Sequence, residues 1–306
     1  MIPSDYLVLG LAVLGLTASI GYALWLGGRR VRLLEVNEAA YPGLAWLRSA
    51  TLLSRRVGLI LGLLACVVVV PMGYLGRLAL TGPAVAGMVT IAAILVGQRS
   101  AHEAARTPGV AGLERRSWTD YPARRALGEL ACLLAAVGAV AAWTTLAASP
   151  DDLGRAGRSL TTICTTTVWS DGVASAETVE HASSPFPGSF YTAPMTIALG
   201  LLALVVLLAL ISIGRRPRDG SDRELVRVDD ALRRITAEGV LAAAGLGLSG
   251  SLLLVSASAY LQFGKSACEP SGIIATSLFG VAALVSLVYC LRSVVTVLVP
   301  GDGSPS

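Results

Sequence analysis

Residues 57–97 read VGLILGLLACVVVVPMGYLGRLALTGPAVAGMVTIAAILVG, a stretch of 41 residues whose only charge is Arg77. A hydrocarbon core of about 30 Å needs roughly 20 helical residues to cross it. The stretch is therefore two crossings long. Arg77 divides it, and Thr81-Gly82-Pro83 follows as a turn signal. An Arg held at the bilayer centre costs on the order of 2.5–3.5 kcal/mol even on the lenient insertion scale. A hairpin that places Arg77 at the far surface avoids that cost.

The same reading extends along the chain. It is 54% hydrophobic and only 14% charged, a balance that suits lipid better than water. Apolar runs long enough to span lie at 7–26, 57–76, 78–97, 126–148, 193–213, 239–257 and 273–291. They are rich in Leu and Ala and lack the alternation of barrel strands. A backbone in hydrocarbon must satisfy its own hydrogen bonds, so each is expected to be a helix. The expected fold class is all-α: a polytopic helical membrane bundle of about seven transmembrane helices, forming a single membrane domain over 1–306.

Charge orients the bundle. The connectors 27–56, 98–125 and 214–238 hold six, six and seven Arg, whereas Arg77, Arg155, Arg158 and Lys265 are the only basic residues on the other side. This is the positive-inside pattern, with the N-terminus outside and the C-terminus cytoplasmic. Fusing the second and third runs would move the six Arg of 98–125 to the wrong face. Met1–Tyr6 carries no basic residue and Arg29-Arg30 follow the first run, the reverse of a secretory signal, so that run is expected to be a retained span. Trp25, Trp46, Trp118 and Trp143 sit near run ends, as headgroup-seeking rings do. The expected location is the bacterial plasma membrane, with the lipid bilayer as the first partner.

Two segments outside the spans carry most of the polar variety. Residues 149–192 form an acidic, Thr- and Ser-rich extracytoplasmic cap loop. Within it Thr161–Trp169 has strand propensity and Ser183–Gly188 reads as loop. Residues 214–238 form a cytoplasmic amphipathic segment. There Ser221-Asp222-Arg223-Glu224 has capping-box spacing, and Leu225, Val228, Leu232 and Ile235 share one helical face that runs on into the sixth span.

Two helix starts repeat the pattern D-x-x-x-R-R-x-x-x-E: Asp120, Arg124, Arg125, Glu129 and Asp229, Arg233, Arg234, Glu238. The steps are i,i+4, so each set can form two ion pairs along a helix face. Arg55-Arg56 is a degenerate third copy without acids. The bland reading is macrodipole matching and anchoring to lipid phosphates. The sharper one is duplication of a two-helix hairpin that brings Glu129 and Glu238 together near the inner leaflet, where paired carboxylates can carry protons or a cation. These starts, with the use of Arg in place of Lys (Lys265 is the single Lys), resemble those of uncharacterised multi-span membrane proteins of high-GC Gram-positive bacteria. The resemblance implies a multi-pass bundle and brings no activity.

The cysteines divide by position. Cys66, Cys132 and Cys290 lie inside runs and read as small apolar packers. Cys164 and Cys268 both fall in outer segments, where an oxidising compartment favours a disulfide joining the cap to the loop between the last two spans. His102 and His181 are both in loops, which removes the usual in-membrane metal or haem ligand, and no cofactor is expected. Arg106 replaces the second His of a zinc-protease helix motif after His102-Glu103. Ser170, Asp171 and His181 lack a nucleophile elbow. Lys265 lies outside the runs, where it cannot carry an in-membrane Schiff base. Gly10, Gly15 and Gly21, and Gly245, Gly247 and Gly250, permit close helix contact. Nothing points to nucleic acid, and no substrate is readable. The sequence expectation is a non-catalytic envelope or membrane-complex component, docking protein partners at its Arg-rich loops or outer cap. The alternative is a permease subunit or small-solute carrier energised by a partner or an ion gradient.

Overall fold

The computed structural model describes residues 42–72, 76–104, 121–170, 173–215, 223–265 and 270–299. Six long helices dominate them: α1 (Pro42–Met72), α2 (Gly82–Ala104), α3 (Arg124–Ala147), α4 (Ser189–Gly214), α5 (Arg223–Lys265) and α6 (Pro270–Leu298). Proline stands at or beside the start of three of them, at Pro42, Pro83 and Pro270, where its missing N–H has no helical partner to lose. A single 3-10 turn, Ala79–Thr81, precedes α2, so the second and third apolar runs are separate helices.

All six are long and apolar enough to cross a bilayer, as in a multi-pass integral membrane protein. Their outer faces are bare aliphatic surface: Leu64 and Val67 on α1, Leu201 and Leu208 on α4, and Ile274, Val281 and Val288 on α6 are each at least half exposed. Apolar exposure on that scale has lipid as its natural solvent. The first apolar run, 7–26, lies outside the described residues, so six of the seven expected spans are seen.

The helix bounds differ from the apolar runs at the arginine-bearing end. The span within α1 begins at Ser49, eight residues before the run at 57–76, and the span within α5 begins at Asp229, well before 239. A charged residue ends an apolar run when sequence alone is read. Here Arg55 and Arg233 lie inside helices because neighbouring helices supply their hydrogen-bond acceptors.

The all-helical expectation needs one correction. Leu160–Ser170 (β1) and Val173–Ser183 (β2) pair antiparallel through the full length of both, with Leu160 opposite Ser183 and Ser170 opposite Val173. The Thr-rich half of this hairpin had readable strand propensity. The Ala- and Glu-containing half did not, and its pairing arises from the partner strand.

α5 is the centre of the bundle: 78% of an 18-residue apolar stretch of its span is buried, against 17% for the corresponding stretch of α6. It packs on α2, α3, α4 and α6. Small residues let it do so. A Cβ at Gly247 would stand 2.6 Å from the Leu202 side chain, one at Gly250 would stand 2.7 Å from Pro83, and one at Gly87 of α2 would stand 2.8 Å from the Ala243 carbonyl. α1 and α2 make a second close crossing, where the Thr90 hydroxyl donates to the Gly58 carbonyl at 3.1 Å. Without a hydrophobic drive between helices in lipid, such backbone proximity is what supplies the packing.

At the end away from the Arg-rich connectors, Phe263 of α5 stacks on Phe279 of α6 at 5.5 Å and meets Phe186 edge-on at 5.6 Å. Trp143 of α3 reaches Phe279 at 5.3 Å. Leu160, Phe186, Ala259, Ala275 and Phe279 form a small core that seats the base of the β-hairpin on the ends of α5 and α6.

Candidate functional site

The middle of α1, the start of α3 and the first third of α5 meet the ends of α2, α4 and α6 at one end of the bundle. The polar residues of the repeated helix starts lie there. Arg55 of α1 is fully buried. Its Nη2 donates to the Thr296 carbonyl of α6 at 2.6 Å and its Nη1 to the Ile235 carbonyl of α5 at 3.4 Å. The Glu238 carboxylate acts on it electrostatically, and a Cβ at Gly239 would stand 3.1 Å from its Nε. The absence of a side chain at 239 therefore lets the guanidinium lie against α5.

Arg233 of α5 does the same for another helix. It is also buried, its Nε and Nη2 each lie 2.8 Å from Asp229 Oδ2, and its Nη1 donates to the Ile213 carbonyl of α4 at 3.2 Å. Its guanidinium stands 5.8 Å from the centre of the buried Tyr121 ring. Thr296 and Ile213 belong to the last turns of α6 and α4, whose carbonyls have no helical donor and carry the negative end of the macrodipole. Two buried arginines thus each cap the C-terminus of a different helix.

Two further links close the ring. The Gln98 amide of α2 donates to the Thr236 hydroxyl of α5, which donates in turn to the Leu232 carbonyl at 2.7 Å. Glu129 of α3 receives Arg125 Nε at 3.1 Å and Arg292 Nη1 of α6 at 3.0 Å.

One i,i+4 step of the repeated pattern is seen in each copy. In the first, the formed step is Arg125 to Glu129, with Arg124 exposed; Asp120 lies outside the described residues. In the second, the formed step is Asp229 to Arg233, with Arg234 and Glu238 half-buried. In Arg55-Arg56 the first arginine is buried and the second exposed. The structure brings Glu129 to Arg292 and Glu238 to the neighbourhood of Arg55, so each carboxylate has an arginine from another helix. Sequence reasoning missed Arg292, Gln98 and Tyr121 as members of this cluster, and read Arg55 only as part of a degenerate third copy of the pattern. Gly239, directly after Glu238, is the one local signal for a large side chain arriving from elsewhere.

Among the described residues no group of three His, Cys, Asp or Glu side chains is placed to hold a metal ion. The side chains of His102, Ser170 and His181 lie outside what is described, as does Asp171. Cys66, Cys132 and Cys290 are free thiols in helices. Cys164 is buried in β1, and Cys268 lies outside the described residues. Gly245 abuts Ser293, and with Gly247 and Gly250 it serves helix contact; Gly10, Gly15 and Gly21 are outside the described residues. Chemically the cluster is a set of cationic donors matched to carbonyls and carboxylates, suited to holding helix ends together. Comparison of the chain with family models, with curated proteins and with solved structures gives no match.

Proposed function

We propose that this chain is a non-catalytic, multi-pass component of the bacterial plasma membrane, with its arginine-bearing end in the cytoplasm, its N-terminus outside and a seventh span at 7–26. One observation carries the reading. The boundary carboxylates that a carrier would use, Glu129 and Glu238, are each matched to an arginine of another helix. A carboxylate so matched is held to a fixed partner, which suits a tie and not a proton relay. The outer hairpin is the surface offered to a protein partner, and it is held to the bundle by a Cys164–Cys268 disulfide. Among the described cysteines Cys164 alone is not a free thiol, which supports that pairing.

The carrier reading makes the opposite demand on the same residues. Reconstituted wild-type chain and the variants Glu129→Gln and Glu238→Gln are compared for proton- or cation-driven flux and for thermal unfolding in detergent. A structural component shows no flux in any of the three and a lower unfolding temperature in both variants. Wild-type flux that disappears in the variants, with unfolding unchanged, replaces this reading with a carrier.

A further inference from the structure

Arg125 of α3 and Arg292 of α6 converge on the single carboxylate of Glu129, yet their side chains remain 86% and 53% exposed. Glu129 engages one nitrogen of each guanidinium. The remaining N–H groups of both have no acceptor among the described residues. Arg124, exposed and also without an acceptor there, stands beside them. Two guanidinium groups thus share one carboxylate at the rim of the apolar surface, with exposed Arg124 adjacent in sequence, and the patch carries net positive charge.

Below that patch the exposed part of α3 is built largely of small residues, with Leu134, Trp143 and Leu146 the larger ones. Gly128, Ala131, Cys132, Ala135, Gly138 and Ala139 are all exposed on its outward face. A Cβ at Gly128 or Gly138 would meet nothing within 4 Å. The outward faces of α1 and α6 are instead built of Leu, Ile and Val. Among the described residues α3 therefore offers a face rich in small side chains, and it leads to the cationic patch.

We propose that this patch, with the small-residue face of α3 below it, holds one phospholipid with an anionic headgroup. Its phosphate bridges the outward N–H groups of Arg125 and Arg292 that have no acceptor among the described residues, and an acyl chain lies along that face of α3. Guanidinium groups match phosphate oxygens in geometry and charge. Basic pockets between helices on the cytoplasmic side are where anionic headgroups bind. This inference rests on the membrane reading given above.

The test uses the full chain in detergent, incubated with equimolar phosphatidylglycerol and phosphatidylcholine and read by native mass spectrometry. Wild type retains one phosphatidylglycerol in preference to phosphatidylcholine. The double variant Arg125→Gln/Arg292→Gln lowers its occupancy about tenfold, whereas the double variant Arg56→Gln/Arg99→Gln, at exposed positions of the same end, changes it by less than about twofold. Gly138→Leu, which puts a large side chain on the small-residue face at a position with open space around it, lowers occupancy without lowering the unfolding temperature. Glu129→Gln raises occupancy while loosening the helix tie, a split that a purely structural role does not produce.

Equal retention of both lipids, an arginine double variant that matches wild type, or an equal loss in the Arg56/Arg99 variant overturns the site. Where the arginine double variant does not purify, unchanged occupancy in both Gly138→Leu and Glu129→Gln overturns it. Loss of selectivity in a chain that still requires detergent removes the lipid site alone. A chain that stays dissolved without detergent removes the membrane reading and the site together.

Discussion

The Arg55 guanidinium donates to the Thr296 carbonyl at 2.6 Å, joining the middle of α1 to the end of α6 across 241 positions of sequence. Arg55→Met leaves the last-turn carbonyls of α6 without this donor and removes the buried charge on which Glu238 acts. Removing one partner of a buried charged pair costs about 3–5 kcal/mol. Arg56→Met, at the exposed neighbouring position, changes stability by less than about 0.5 kcal/mol. Thermal unfolding in one detergent compares the two. Equal, small effects would place Arg55 outside the framework.

Close helix contact makes a second prediction. A Cβ at Gly62 would stand 2.6 Å from the Ala86 carbonyl and 2.5 Å from Thr90 Oγ1. Gly62→Leu therefore forces α1 away from α2 and costs about 1–3 kcal/mol. Gly138→Leu on the open face of α3 stabilises or leaves unfolding unchanged, since it also removes a helix-interior glycine worth about 1 kcal/mol. A reversed order in the same unfolding assay would contradict the packing described.

How much of this was readable without coordinates follows from particular residues. The turn around Arg77 and the alternation of Arg-rich connectors marked the helices, because lipid makes apolar length a physical requirement. The buried arginines were unreadable. Arg55 looks like a span boundary until α5 and α6 supply carbonyls from 180 and 241 positions away. The repeated pattern was visible, and its i,i+4 steps form, but their partners on other helices, such as Arg292 for Glu129, are tertiary. The β-hairpin was half readable. Asp171-Gly172, the dipeptide between the two 11-residue strands, was its strongest unused signal.

For the outer surface, the proposed Cys164–Cys268 bond is tested by digesting unreduced protein and searching by mass spectrometry for a peptide joining the two. That peptide is expected, and it disappears on reduction. Alkylation of both thiols in native, unreduced protein would show the hairpin to be held by its aromatic base alone.

The loop below the hairpin has a defined pH response. Crowding by neighbouring atoms pushes the Asp151 carboxyl up, but the N–H groups of Arg155 and Leu153 and the Arg155 guanidinium outweigh it and hold the group below the ordinary carboxylate range. A depressed value in the folded chain stabilises the loop above the unfolded value of about 3.9, and that contribution is lost as pH falls through the folded value. Amide exchange at Leu153 and Arg155 is expected to be slow at pH 5 and to lose protection below about pH 4. An Asp151→Asn chain whose protection falls over the same range would exclude this carboxyl as the cause.

Single cysteines at two exposed positions test the membrane reading most directly: Ser184→Cys after β2 and Ser100→Cys in α2, in a chain whose exposed Cys132 is changed to Ala. Applied to intact cells, a membrane-impermeant maleimide should label the cysteine at 184 and reach the one at 100 only after permeabilisation. Labelling of both from one side, or of 100 alone from outside, would contradict a bundle that crosses the bilayer with its arginine-capped helix ends in the cytoplasm.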